Sequence, residues 1–513
     1  MRKSYQYLLA SAAIVLLRTP TFLQPLMEID EAIYATIADL LLKGGVLYAD
    51  GGVDHKPPLL YLIYQLCFWI GGRNNMLLVQ VVNAATVLGT SYLLSRMTLM
   101  ILRARGVAPR YEVMPYLLYG VSISSFYFEQ MSANAEVFMN LLLTIGVFAF
   151  FVAAQERRRL AALLLSGLAL SLAAYTKQTC ALTYAALGVC LLLAPWEKRR
   201  IVRELAVFAA GGIVVTGAFV AYFAARGALH PYIYWVFLEP WLYLGGKSAA
   251  DPSVVSRAVL HTAAIVGSNL FLFITATRSF AGAKARRARF SGASGWYVRL
   301  LILWVAVTIP QLMLGGRYLF HYYLLLMPPL CIAAGLLLED MPSFAVPRWR
   351  RWLLAGALVP ALLWTVVFPL HVTLQKQFGK FRDYRPVGEY IKANTAPDAR
   401  IFVWGFSSEV YYYADRLPVT RFVFADLLAG ILLGFGDGTP GYSSPEYWDA
   451  FASDLARQGN PELIVDTSPA GFHGYADYPM EKYPVLAALI ASKYRFDREI
   501  GGMRLYRLSP GSP

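Results

Sequence analysis

Apolar runs of roughly bilayer-spanning length recur from the N-terminus to about residue 370 of this 513-residue chain. A hydrocarbon core about 30 Å thick accepts helices of about 20 consecutive apolar residues, because water is not there to satisfy an open backbone. The composition agrees: 57% of residues are hydrophobic and 15% charged, against about 25% charged in an average soluble domain. The chain therefore reads as a polytopic α-helical membrane protein. Candidate spans fall near 5–23, 76–101, 112–128, 136–154, 160–176, 179–195, 205–225, 259–277, 298–315, 319–338 and 352–370, about eleven in all. The N-terminus has a basic start and an apolar core without a clear small-residue cleavage site, so it reads as an uncleaved first span.

The formal net charge of +14 invites a nucleic-acid reading. The basic residues argue against it, because they cluster in short loops between apolar runs. Arg2 and Lys3 precede the first span. Arg103, Arg105 and Arg110 follow the second, Arg157 to Arg159 the fourth and Lys198 to Arg203 the sixth. Lys284 to Arg289 and Arg348 to Arg351 follow the eighth and tenth. All lie on one side by this count, and the positive-inside rule makes that side the cytoplasm. The parity holds only if the 12-residue run 59–70 does not span, so that run is expected to lie along the membrane surface or to re-enter. The N-terminus is then cytoplasmic, and residues 24–75 and the tail after 370 are extracytoplasmic, in a plasma (inner) membrane.

The tail, 371–513, changes character. ARIFVWG (399–405) and PELIVDT (461–467) read as buried strands, and 384–395, 446–459 and 484–494 as helices. YRFDREI and MRLYRLS flank a Gly-Gly turn and read as a hairpin. A C-terminal extracytoplasmic α/β domain is expected at 371–513, after a membrane domain at 1–370. The Gly-rich stretch 434–441 lacks the spacing of a phosphate loop. Cys67, Cys180, Cys190 and Cys331 stand singly in apolar surroundings, with neither a disulfide nor a metal pattern.

Ionisable residues concentrate on the expected outer face. Asp30 and Glu31 open a helical pattern that ends at Gly44-Gly45. They suit first-turn acids favoured by the helix dipole, or a general base at the membrane surface. In HKPPLLY (55–61), two prolines force an extended approach and set Lys56 where polar loop meets apolar surface. Lys56 suits a snorkelling side chain or a cation for a lipid phosphate. Glu129 and Glu136 flank another external turn, with Asn134 and Asn140 near them, and Glu136 heads an apolar span where an acid is costly without a partner. Arg317, Tyr318 and His321 begin the tenth span. Arg317 and His321 are four apart, and one helix face would carry both toward a phosphate. Lys177, beside Gln178, adds a cation.

Asp30-Glu31 with the downstream YATIADLL and Gly-Gly, then HKPPLLY, resembles the first external loop of GT-C glycosyltransferases. The relatives it resembles are the protein O-mannosyltransferase, lipid A aminoarabinose transferase and Rgt-type galacturonosyltransferase group, and HYYLLLMPPL (321–330) is also similar to their bacterial members. The resemblance covers about residues 1–370. It implies a polyprenyl-phosphate sugar donor and transfer to a hydroxyl of a lipid, glycan or protein acceptor on the non-cytoplasmic face. It places Asp30 at the catalytic acidic position, Glu31 as its acidic neighbour and Lys56 beside the donor phosphate. Arg317, His321 and Tyr318 would join Lys56 on the phosphate, and Glu136 or Glu129 would orient sugar or acceptor hydroxyls. The aminoarabinose transferases often carry an acid before the lysine, where this chain has His55; no cofactor is required, and a divalent metal near His55 is the one metal site left to consider. The expected partners are the donor, its acceptor and membrane lipids, not nucleic acid. A transporter or flippase of lipid-linked glycans, or a non-catalytic scaffold, is the rival. A transport path would need polar groups near mid-bilayer rather than at one face.

Overall fold

The computed structural model describes residues 2–124, 131–155, 158–194, 196–244, 251–285, 292–314, 316–340, 384–431 and 444–510, with scattered residues of 352–370. Glu129, the stretch 434–441 and about half of the eleventh expected span lie outside the described residues. The chain divides into two compact units. One comprises Met1–Met27, Val79–Ala221 and Lys247–Lys376; the other comprises Glu28–Leu78, Tyr222–Gly246 and Gln377–Pro513.

The first unit is helical. Among the described residues, Met76–Ala104, Ala135–Ala153, Lys198–Ala225, Gly295–Met313 and Phe320–Glu339 are long and apolar enough to cross a membrane. A bent pair, Pro252–Ser268 and Leu270–Phe280, makes a sixth if it counts as one span. The chain is thus a multi-pass membrane protein; among the described residues five helices, or six with the bent pair, are of full spanning length, where apolarity alone suggests about eleven spans. Arg159–Ala174 and Ala181–Leu192 are helical where spans were expected but are shorter than a bilayer requires.

Two of the expected spans are interrupted. The run 259–277 turns by 87° at Asn269. The first helix stops at Leu17, and a short helix, Thr19–Leu23, resumes after buried Arg18. Arg18 donates to the Met131 carbonyl at 2.5 Å, and Pro20 sits in the first turn of the second piece, where its missing N–H costs nothing.

Small residues let backbones touch in this unit. A Cβ on Gly167 would lie 2.0 Å from the Phe208 carbonyl oxygen, and one on Gly211 2.4 Å from the Leu168 nitrogen. Helices Arg159–Ala174 and Lys198–Ala225 therefore cross at glycines, as helices packing in lipid do. Just beyond the crossing, buried Glu204 takes a forked pair from Arg159 at 2.6 and 2.8 Å and a third bond from Arg200 at 2.9 Å.

The second unit carries a five-stranded sheet. Its strands are β1 Arg400–Trp404, β2 Leu417–Pro418, β3 Leu463–Asp466, β4 Tyr494–Ile500 and β5 Met503–Leu508, in the order β2-β1-β3-β5-β4. β2, β1 and β3 run parallel, and β5 is antiparallel to β3 and β4. Apart from Arg400 and Asp466 at their ends, β1 and β3 are apolar on both faces, and they are nearly wholly buried, as inner strands of a parallel arrangement must be. Gly501 and Gly502, at φ 59° and 79°, make the hairpin turn. The three expected helices form as Arg385–Asn394, Pro445–Gln458 and Pro484–Lys493.

Residues 28–78 belong to this unit and are fastened to its sheet region. The Val53 N–H donates to the Arg421 carbonyl at 3.0 Å. Arg73 Nε donates to both Asp39 oxygens, at 2.6 and 2.7 Å, and its Nη1 reaches Asp415 at 3.3 Å, while Asn74 also donates to Asp415. Asp50 pairs with Arg457 at 2.9 Å. Burial raises the Asp39 carboxyl above its usual range, against the pull of Arg73. Helix Pro58–Gly71, the run that parity keeps from spanning, has 14 residues, about 21 Å.

Candidate active site

Helix Ile29–Leu42 starts just before Asp30 because its first turn is closed by a capping box. Glu28 is the extended N-cap residue, and the Glu28 N–H donates to Glu31 Oε2 at 3.2 Å, closing a capping box. Glu31 is wholly buried. One of its oxygens thus holds the helix start, which is the first-turn role open to it in the sequence. Past Lys43, Gly44 at φ 90° ends the helix.

Asp30 is one residue further round and partly open. Its Oδ2 accepts from the Tyr34 hydroxyl, one turn on, at 3.1 Å, and from Lys56 Nζ at 3.1 Å. Lys56 Nζ also stands 4.7 Å from the centre of the Tyr34 ring, a cation–π arrangement. The two residues singled out from separate motifs, 26 positions apart, are therefore one ion pair. Tyr34 is the member that sequence reading missed; its i+4 spacing from Asp30 was the available signal. Its ring packs edge-on against Tyr61 and Tyr64, with centroids 5.9 and 5.5 Å away.

Lys56 is delivered by a built turn. Pro57 is extended (φ −66°, ψ 160°) and caps helix Pro58–Gly71, as the Pro-Pro pair requires. The Tyr48 hydroxyl donates to the Lys56 carbonyl at 2.6 Å. Buried Asp54 accepts from the His55 N–H and from the Tyr61 hydroxyl, each at 2.7 Å, and lies 3.0 Å from His55 Nδ1. Burial opposes the Asp54 charge, but His55, Lys56 and these bonds outweigh it and hold the carboxyl well below the usual range. A depressed folded-state pKa adds stability that is complete above the unfolded value near 4 and is lost as pH falls through the folded value. Wild type should thus unfold at a higher temperature than Asp54→Asn at pH 6, with the gap narrowing as pH drops below about 4. Thermal unfolding in detergent across that range checks this; a gap independent of pH would remove Asp54 as a charged anchor. His55 is therefore engaged with Asp54, and among the described residues no three His, Cys, Asp or Glu side chains converge to hold a metal.

The remaining candidates belong to the membrane unit. Glu136 lies in the first turn of Ala135–Ala153 and is buried. Lys177 forms an ion pair with it, and His321 Nε2 lies 3.7 Å from the same Oε1. The Lys177 ammonium also sits over the Tyr322 ring, 3.6 Å from its centre. Asn140, one turn below Glu136, donates to the Leu324 carbonyl at 2.9 Å. An acid at the head of an apolar span has found the partners its placement demanded.

Arg317 and His321 are both buried, but they do not share a helix face. Tyr318 is in the left-handed region at φ 47°, and a 3₁₀ helix begins only at Phe320. Gly316, at φ 60°, and a bond from His261 Nδ1 to the Tyr318 carbonyl at 2.7 Å turn the chain before the helix can form. His261 was not singled out in the sequence, since a lone histidine in an apolar run gives no pattern.

No protein-family model and no curated protein matches the sequence. Solved structures do. ArnT from Cupriavidus metallidurans, bound to undecaprenyl phosphate, aligns over 98% of this chain and 98% of its own at 13% identity, with a TM-score of 0.63. The arabinofuranosyltransferase AftD from Mycobacteria aligns over 98% of this chain and 40% of its own at 14% identity and a TM-score of 0.53. AglB, the oligosaccharyltransferase of Archaeoglobus fulgidus, in complex with an inhibitory peptide and a dolichol-phosphate, aligns over 99% and 75% at 12% identity and 0.50. Identities this low speak for architecture alone, and they agree on it across nearly the whole chain. All three are GT-C glycosyltransferases, and the chain has the GT-C fold.

Proposed function

We propose that this protein is a glycosyltransferase that moves a sugar from a polyprenyl-phosphate donor to a hydroxyl acceptor on the extracytoplasmic face of the plasma membrane, with inversion at the anomeric carbon. The observation that carries the reading is the Asp30–Lys56 pair at 3.1 Å, set on a capped helix start and a Pro-Pro turn. The fold shared with lipid-phosphate-bound ArnT and AglB supports it.

In the proposed reaction the acceptor oxygen attacks the anomeric carbon opposite the phosphate. The bond from that carbon to the phosphate oxygen breaks, and its electron pair leaves with the polyprenyl phosphate. Asp30 takes the acceptor proton. Lys56 neutralises the charge that develops on the leaving phosphate, so no metal is invoked. Glu31 keeps the helix start under Asp30. In the membrane unit, Arg317, His321 and Tyr318 are the proposed phosphate-binding set, and Glu136 and Glu129 the proposed hydroxyl-binding acids. Whether the acceptor is lipid, glycan or protein is set by contacts outside these residues.

The bend of 87° at Asn269 gives the flippase reading one observation of its own, since interrupted helices mark many transport sites. Proteoliposomes loaded with a radiolabelled polyprenyl-phosphate sugar separate the two. Transfer consumes the donor and releases free polyprenyl phosphate; flipping moves the intact donor across the bilayer. Consumption with acceptor labelling is expected, and transbilayer movement without consumption would overturn the proposal. Within it, Lys56→Ala should weaken donor binding roughly ten- to hundred-fold, the range for losing a charge-assisted contact. Titration of the purified variant with donor measures this, and unchanged affinity would remove Lys56 from the phosphate.

A further inference from the structure

We propose that His261 is a positioning residue that sets the backbone of the segment 317–323, and through it the donor-phosphate affinity assigned to Arg317, Tyr318 and His321. The inference rests on the glycosyltransferase reading. His261 lies on helix Pro252–Ser268, within the membrane unit, and touches the segment at both ends of a tripeptide. At one end, Nδ1 is 2.7 Å from the Tyr318 carbonyl oxygen. A carbonyl only accepts, so Nδ1 carries the proton, and the tautomer is fixed by this bond. At the other end the imidazole lies flat on the Phe320 ring, 3.9 Å between centres and 15° between planes. The next residue of the helix, Thr262, shares a hydroxyl contact of 2.7 Å with Tyr323.

What these contacts hold is unusual backbone. Tyr318 is left-handed at φ 47°, which a residue with a Cβ adopts only when its surroundings impose it. Arg317 comes immediately before that turn. His321 and Tyr322, immediately after Phe320, meet Glu136 and Lys177 respectively. A slip at Tyr318 therefore rotates the guanidinium on one side and the imidazole and phenol on the other. The helix that would prevent the slip is itself ended by the bend at Asn269, which leaves His261 and Thr262 within its last two or three turns.

The two contacts of His261 separate by substitution. His261→Phe keeps a flat ring against Phe320 and loses the donor; His261→Gln restores an N–H donor and loses the stack. Binding of undecaprenyl phosphate, without sugar, to the full-length protein in detergent is the probe, alongside transfer kinetics. His261→Phe should raise the dissociation constant and the donor KM about ten-fold, the usual effect of one buried hydrogen bond, with kcat within about two-fold of wild type. His261→Gln should recover most of that loss. A stable His261→Phe protein that binds undecaprenyl phosphate as tightly as wild type overturns the inference. Should that variant not fold, Thr262→Val tests the same clamp through Tyr323, and unchanged affinity there overturns it equally. A wild type that binds no polyprenyl phosphate overturns the functional reading and this inference together, whereas a binding wild type with an indifferent His261→Phe overturns this inference alone.

Discussion

Asp30→Asn is expected to lower sugar transfer by about 10²- to 10⁴-fold, the contribution of a positioned general base. The substitution is close to isosteric. Asn keeps an oxygen for the Tyr34 hydroxyl and Lys56, the partners that fix the carboxylate 3.1 Å from each, but it cannot take a proton from an attacking hydroxyl. Stability should change little, because Asn keeps an oxygen for both donors and each side chain of the pair, about one-fifth exposed, retains contact with water. Donor binding should be kept or strengthened, since Lys56 loses a competing counter-charge. The diagnostic pattern is thus a collapsed kcat with donor affinity intact. Asp30→Glu should not rescue it, because the extra methylene moves the carboxylate off both partners. Transfer by Asp30→Asn within a few-fold of wild type, in a protein with a wild-type unfolding temperature, would remove Asp30 as the base.

The parts of this molecule that follow from local chemistry were legible in the sequence. The Gly44-Gly45 stop, the Pro57-Pro58 approach, the buried strands β1 and β3 and the Gly501-Gly502 turn all lie where residue type and periodicity put them. The breaks in the helices were less so. Apolarity averaged over a window is the same for a straight span and for one bent at Asn269, so the sum that finds the span cannot see the bend. Arg18 and Pro20 did carry a local signal, a charge and a missing N–H inside one apolar run. Tyr318 carried none: its left-handed backbone is imposed by His261, 57 residues earlier in the chain. The site divides in the same way. Residue type marked Glu136 as costly where it stands, and Asp30 and Lys56 as charges set at the membrane surface. Their partners are tertiary facts, and pairing Lys177 with Glu136 across 41 positions needed the fold. Glu31 is the converse case, since Glu28 followed three residues later by Glu31 is a capping-box spacing readable without any structure.

Lys177→Met is expected to be the most destabilising single change among the site residues. It leaves Glu136, which is 2% exposed at the head of an apolar helix, with the His321 imidazole at 3.7 Å as its remaining ionisable neighbour among the described residues. Removing one partner of a buried pair costs about 3–5 kcal/mol, because the remaining charge keeps its desolvation penalty. Thermal unfolding in detergent should show a large drop for Lys177→Met and most of it restored in Lys177→Met with Glu136→Gln, a strongly non-additive cycle. The double variant also decides what Glu136 is for. If Glu136 only balances Lys177, the restored protein should transfer sugar as wild type does. If Glu136 orients a sugar or acceptor hydroxyl, as proposed, the double variant should be stable yet slow, because Gln lacks the charge that makes a carboxylate the stronger acceptor. The expected result is the stable, slow protein, with transfer reduced at least ten-fold, about the worth of one charge-assisted bond. A double variant that recovers both stability and transfer would reduce the Glu136 cluster to a structural lock, leaving the chemistry to the loop that carries Asp30 and Lys56.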